Sequence, residues 1–288
     1  MSCTVCPRAE LDADPQEMTM ALFKRIADQA RGSVGFIDFS SRGESLLCVN
    51  VFQMIAYARA LGMHTSLPVN GLLLSEENCV ALVNAGLDLL TVSVDAFLPE
   101  TYSRIRRGGD FHAVVENIKR MARIKRRMNS PMTVVVQMVR LQENELETER
   151  FKAGWKQLRG VMVRIKPFSS RGGCVKNGIV SLKRKPAARC SRLWKTMRVY
   201  ADGTAVPCCN DFLCRQPLGD LSRQSIKEVW NGKSYVTLRR QHAANQFDQT
   251  PICRDCEFLK TDLRKQLASF VLDDLTLRRL LASFDGLY

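Results

Sequence analysis

His64-Thr65-Ser66-Leu67-Pro68-Val69-Asn70-Gly71 is a strand-like run that stops at a turn pair, and Leu89-Leu90-Thr91-Val92-Ser93-Val94-Asp95 is a second such run. Between them, Ser75 is placed to cap a helix that stops near Gly86. Strand, helix and strand in so short a stretch make a parallel βα unit. The same alternation continues on both sides. Towards the N-terminus, Val34 to Phe39 reads as a buried strand with Phe36 and Phe39 in the core, and a helix follows over 51–61 before Gly62. Asp14, Pro15 and Glu17 predict a capped helix over 14–31, with Leu22, Phe23, Ile26, Ala27 and Ala30 as its apolar stripe. Towards the C-terminus, Pro99 starts a short helix and Asp110 caps a longer one running to Arg127. Then come a β-branched strand from Met132 to Val139, a helix over 145–158 and a strand from Val161 to Ile165. Five strands alternating with helices mean a parallel sheet, as a β/α barrel or an open doubly wound fold; periodicity does not separate the two.

The chain has 288 residues, with 43 Lys and Arg against 29 Asp and Glu, and 11 Cys. No apolar run approaches the roughly 18–20 residues of a membrane span. Met1-Ser2-Cys3-Thr4-Val5-Cys6 lacks the basic and apolar regions of a signal peptide. A cytoplasmic protein is expected, and its odd number of reduced cysteines points to metal ligation rather than disulfides. The net charge of +14 first suggests nucleic acid as a partner. That charge is concentrated: Arg150 to Ala201 holds fifteen bases and no acid, and the remaining 28 bases and 29 acids nearly cancel. The aromatics of this stretch, Phe151, Trp155, Phe168, Trp194 and Tyr200, lack the interleaving that base stacking requires. Neither nucleic acid nor membrane is therefore expected as a partner. Arg164, Lys166 and Arg171 fall at or beyond the end of the last strand, on the rim that faces the ligand in parallel β/α folds. There they can bind an anionic group, whereas 183–189 reads as a solvated linker.

Residues 167–189, with Pro167, Gly172, Gly173, Gly178 and Pro186, break the βα pattern. Beyond them lie a hairpin signal at Tyr200-Ala201-Asp202-Gly203-Thr204, helices near 225–231 and 233–243, and an amphipathic tail over 257–284. Seven of the eleven cysteines sit in this half: Cys174, Cys190, Cys208, Cys209, Cys214, Cys253 and Cys256.

Chemistry-bearing residues recur at fixed places. Cys3-x-x-Cys6 opens the chain, Gly43-Glu44 follows the first strand, Asn70-Gly71 the second, and Ser93-x-Asp95 ends the third. Successive C-terminal strand ends are where parallel folds place ligands. Arg106-x-Gly108 comes next. The second half carries Cys190-x12-Gly203-x4-Cys208, then Pro217-Leu218-Gly219-Asp220-Leu221, Ser225-Ile226-Lys227-Glu228-Val229-Trp230 and Cys253-x-x-Cys256.

This pattern resembles the radical S-adenosylmethionine family with a C-terminal SPASM iron–sulfur domain. The resemblance implies a partial (β/α)6 TIM-like barrel over 1–170 with its first strand missing and a basic linker over 171–189. A small Cys-rich α+β auxiliary cluster domain over 190–258 and a C-terminal helix over 259–288 follow. It implies two four-iron clusters and S-adenosylmethionine, whose reductive cleavage yields a radical that takes hydrogen from substrate. Cys3 and Cys6 would ligate the first cluster. Glu44, Asn70, Ser93, Asp95 and Arg164 would contact the cofactor, and Cys190, Cys208, Cys253 and Cys256 would hold one auxiliary cluster. Asp211 is the candidate base, with a solvated loop aspartate as the alternative. Cys209 and Cys214 are spare, and Cys48, Cys79 and Cys174 are ordinary. The histidines are structural or surface residues. The family's first cluster cysteine would fall two residues before Met1, so the expectation is a start codon placed too late. A peptide or protein side chain is the expected substrate, then a carbohydrate or other small molecule, with flavodoxin or ferredoxin as the reductant. The rival from another class is a non-catalytic iron–sulfur or zinc protein that binds RNA through the basic segment.

Overall fold

A computed structural model describes residues 1–11, 16–40, 42–175, 190–254 and 256–259. These fall into two compact units, 1–168 and the described residues from 169 onward.

In the first unit the elements run β1 (Ser2–Cys3), α1 (Met20–Ala30), β2 (Phe36–Asp38), α2 (Val51–Ala60), β3 (His64–Val69), α3 (Glu76–Asn84), β4 (Leu89–Ser93) and α4 (Pro99–Ile105). They continue with β5 (Arg106–Arg107), α5 (Phe111–Arg127), β6 (Thr133–Arg140), α6 (Thr148–Lys156) and β7 (Val161–Pro167). The parallel sheet has the order β2-β3-β4-β6-β7, so each strand is laid beside its predecessor and the winding never reverses. A doubly wound fold needs such a reversal. Strands added in one direction, each with its helix, are instead the arrangement of a β/α barrel. The sheet is open between its edges, β2 and β7.

Local chemistry explains the elements. Ser75 and Asp110 cap α3 and α5 by accepting from the N–H groups of Asn78 and Ala113. In α5, Val114, Ile118 and Met121 face the core while Lys125, Arg126 and Arg127 complement the C-terminal dipole. Seven of the eight residues of β6 are buried, as a central strand covered on both faces requires. Three expectations are corrected. The first helix begins at Met20, capped by the Thr19 hydroxyl, while Glu17 accepts from the Val49 N–H at 3.3 Å instead of completing a capping box. Asp14 and Pro15 lie outside the described residues. Phe36 is 38% exposed because β2 is an edge strand. Glu147 also shortens the helix expected over 145–158, since its carboxylate accepts from the Phe97 and Leu98 N–H groups and the turn over Gln142–Glu147 is 3-10.

The second unit is a three-stranded antiparallel sheet of β8 (Arg198–Val199), β9 (Thr204–Val206) and β10 (Gly219–Asp220), followed by α7 (Ile226–Asn231), α8 (Lys233–Ala243) and α9 (Pro251–Arg254). The hairpin falls where its signal predicts, with Gly203 N–H donating to the Tyr200 carbonyl at 3.0 Å. Ser225 and Glu228 cap α7 reciprocally. Most of the tail expected to be helical over 257–284 lies outside the described residues. Among the described residues no helix is long and apolar enough to cross a membrane.

Candidate functional site

The strand ends of the first unit hold the predicted ligand-binding residues. Glu44 follows β2, and its Oε2 accepts from the Asn70 N–H at 2.9 Å. Its other oxygen, Oε1, is buried without a hydrogen-bond partner. Burial pushes the carboxyl above the usual carboxylate range, against the pull of the Asn70 and Leu46 N–H groups. Asn70 itself forms the turn: its Oδ1 accepts from the Leu72 N–H at 2.8 Å. Gly71 is required there, because φ is +87° and a Cβ would lie 2.8 Å from Val92 Cγ1. Ser93, Gln137 and Arg164 are register partners across β4, β6 and β7. Arg164 is held to this row by two donations, Nε at 3.0 Å and Nη2 at 2.7 Å, to Gln137 Oε1.

Asp95, expected among the cofactor contacts, is tied into the protein. It is fully buried, with φ +62°, and both its oxygens are engaged within the protein. Oδ1 accepts from the Val139 N–H at 2.7 Å, and Oδ2 accepts from Arg106 Nε at 2.8 Å and from Nη2. Its carbonyl takes Asn144 Nδ2 at 2.7 Å. Asp95 thereby braces Arg106 and the end of β6. The sequence offered Arg106 only as context. Arg106 lies in β5, paired antiparallel with β1 so that it stands opposite Cys3, and its Nη1 is 3.9 Å from Cys3 Sγ. The Cys6 N–H donates to the Cys3 carbonyl at 3.1 Å, closing the turn that carries both thiols. Burial pushes the Cys3 thiol up, opposed by the Arg106 charge. Beside them the Tyr102 hydroxyl is buried without a partner, and burial pushes its pKa up to about 12.

In the second unit the four predicted cluster cysteines act on one another. Burial is the main cause raising each of Cys190, Cys208 and Cys253, and a charge on Cys256 raises all three further. Cys190 is pushed up to about 11. Cys209 behaves differently. Burial would raise its thiol, but Arg192, Arg171 and Arg198 together outweigh that and hold it below the usual value. Arg192 Nη1 is 2.9 Å from Cys209 Sγ, and Arg171 Nη1 donates to the Cys209 carbonyl at 3.4 Å. Arg171 thus packs within this unit. The signal was available, since Arg192 lies two residues after Cys190 and Arg198 ten before Cys208. Gly172, with φ +68°, is where the chain meets both cysteine loops: a Cβ would lie 3.1 Å from the Asn210 carbonyl oxygen and 3.3 Å from that of Ile252.

Asp211, the candidate base, is not the solvated loop residue of the alternative reading. It is 1% exposed, and its two oxygens accept from the Arg215 and Gln216 N–H groups at 2.7 and 2.9 Å, building the loop after the cysteine pair. Its carbonyl takes the Tyr200 hydroxyl. Cys214 is half-buried with φ +57°, Cys48 is half-buried, and Cys79 and Cys174 are buried. His242 is fully buried against Phe247, and burial lowers its pKa to about 4, so it is a neutral core residue. Among the described residues no three His, Cys, Asp or Glu stand close enough to hold a single metal ion.

Comparison with known proteins agrees with this geometry. The profile of the Radical SAM superfamily matches residues 1–151, and that of an iron–sulfur cluster-binding domain, SPASM, matches 190–257. An uncharacterized protein of Treponema pallidum is 24% identical over 257 residues, covering 84% of this chain and 69% of that protein. Two crystal structures share the fold. BtrN in complex with AdoMet and 2-DOIA is 18% identical, covering 89% of this chain and 87% of its own, with a TM-score of 0.58. Native anSMEcpe with bound AdoMet and the Cp18Cys peptide is 13% identical, covering 98% and 95%, with a TM-score of 0.61.

Proposed function

The chain belongs to the radical S-adenosylmethionine superfamily of enzymes and carries a SPASM domain, and from that premise we propose that it abstracts hydrogen from a side chain of a peptide or protein. The single observation carrying the substrate class is the match to peptide-bound anSMEcpe, which spans nearly the whole of both chains. A cyclitol or other small molecule is the second reading, favoured by the match to BtrN with 2-DOIA.

When bound, the cofactor and a reduced four-iron cluster supply reductive cleavage and hydrogen abstraction, with the electron coming from a reductant of flavodoxin or ferredoxin type. The residues in the chain fit these groups. Cys3 and Cys6 are two of the thiolates for the first cluster, and Arg106, opposite Cys3 in β5, fixes the bridge that carries them. Glu44 Oε1, a buried acceptor without a donor, suits the ammonium of the cofactor. Ser93 and Arg164, with Asn70 forming the turn, complete the cofactor side. Cys190, Cys208, Cys253 and Cys256 suit the auxiliary cluster. The charge on Cys256 acts on the other three, which supports a site shared by all four.

The test is anaerobic turnover by protein expressed with any coding sequence upstream of Met1 included. 5′-Deoxyadenosine formed with dithionite should rise several-fold on adding the Cp18Cys peptide. A rise only with 2-deoxy-scyllo-inosamine would transfer the assignment to the small-molecule reading.

A further inference from the structure

The basic segment read as rim and linker has a more specific placement. Three of its arginines gather at one edge of the second unit's cysteine cluster. Arg192 donates from Nη1 towards Cys209 Sγ at 2.9 Å, with its guanidinium 4.6 Å from the Phe258 ring centroid. Arg171 holds the Cys209 carbonyl at 3.4 Å. Arg198 stands 5.8 Å from the Tyr200 ring centroid, and its charge, like the other two, acts on Cys209. The charge of Arg192 also reaches Cys190 and Cys208. Asp211 acts on Cys253 and Glu257 on Cys256. These guanidinium groups stay charged at any working pH.

We propose that Arg192, supported by Arg171 and Arg198, is a positioning residue that raises the reduction potential of the auxiliary cluster and so fits it to accept an electron. Reduction adds one negative charge to a centre already carrying four thiolates. Nearby fixed positive charge stabilises the reduced form more than the oxidised one. Cys209 is not a ligand in this arrangement: it holds the arginine in place beside Cys208. The inference rests on the assignment of an iron–sulfur cluster to this unit, and the experiment separates the two.

The measurement is a redox titration of anaerobically reconstituted protein, followed by electron paramagnetic resonance, with iron determined in parallel. R192Q should retain its iron and need about tenfold more reducing conditions for half-reduction, which for one electron is about 59 mV. R192K should recover most of that shift. R198Q, which keeps the Arg192 contact, should shift the potential in the same direction by a smaller factor. If R192Q loses its iron, R198Q and R171Q carry the test. Wild-type potentials in iron-replete glutamine variants, or an equal shift in R192K and R192Q, would overturn the proposal. Absence of any cluster signal from the second unit of the wild type would overturn the cluster assignment instead.

Discussion

The two cysteine-bearing regions use arginine in opposite ways. At Cys3 and Cys6, Arg106 is bound to a fully buried Asp95, so the pair contributes little net charge and serves to fix the β1–β5 bridge that carries the thiols. At Cys190, Cys208, Cys253 and Cys256, three arginines act on the neighbouring Cys209, while Asp211 acts on Cys253 and Glu257 on Cys256. In one region arginine braces a bridge; in the other it acts on a cysteine. Two clusters in one chain can therefore differ in potential through their protein surroundings alone, since charge and hydrogen bonds at sulfur are among the factors that set it.

The largest expected effect breaks the second region directly. C256A removes a ligand and should lower iron by about four per chain, whereas C209S should leave iron unchanged. Iron analysis with the visible absorption spectrum reads both, and equal loss in the two variants would place Cys209 among the ligands. A smaller effect probes the first region. D95N leaves the Arg106 guanidinium without its counter-charge and weakens the acceptor for the Val139 N–H, and breaking a buried pair in this way costs about 3–5 kcal/mol. Denaturant unfolding should show that loss with the second region's cluster intact. A loss below about 1 kcal/mol would mean the pair is solvated, as surface pairs are.

Much of this was legible in the sequence, for reasons that differ by residue. The strands over 64–69, 89–93 and 133–140 are short β-branched runs between helices with plain caps, and Ser225-x-x-Glu228 announces its own helix. The cysteine pattern was equally plain, because ligand spacing is local. Periodicity could not choose barrel over doubly wound sheet, since both use the same unit and differ only in the order of strands. Nor could it show what a carboxylate faces. Asp95 accepts from Arg106 and the Val139 N–H, which tertiary contacts bring in, and Asp211 accepts from the Arg215 and Gln216 N–H groups of its own loop. A count of charges likewise does not show that Arg192 turns towards Cys209.

The central claim, a radical S-adenosylmethionine enzyme with one auxiliary cluster, is tested most directly by iron content and cofactor cleavage in a single anaerobic preparation, with any coding sequence upstream of Met1 included. About eight irons per chain and 5′-deoxyadenosine formed on adding dithionite and S-adenosylmethionine are the predicted result. Iron near four per chain with no 5′-deoxyadenosine would contradict it.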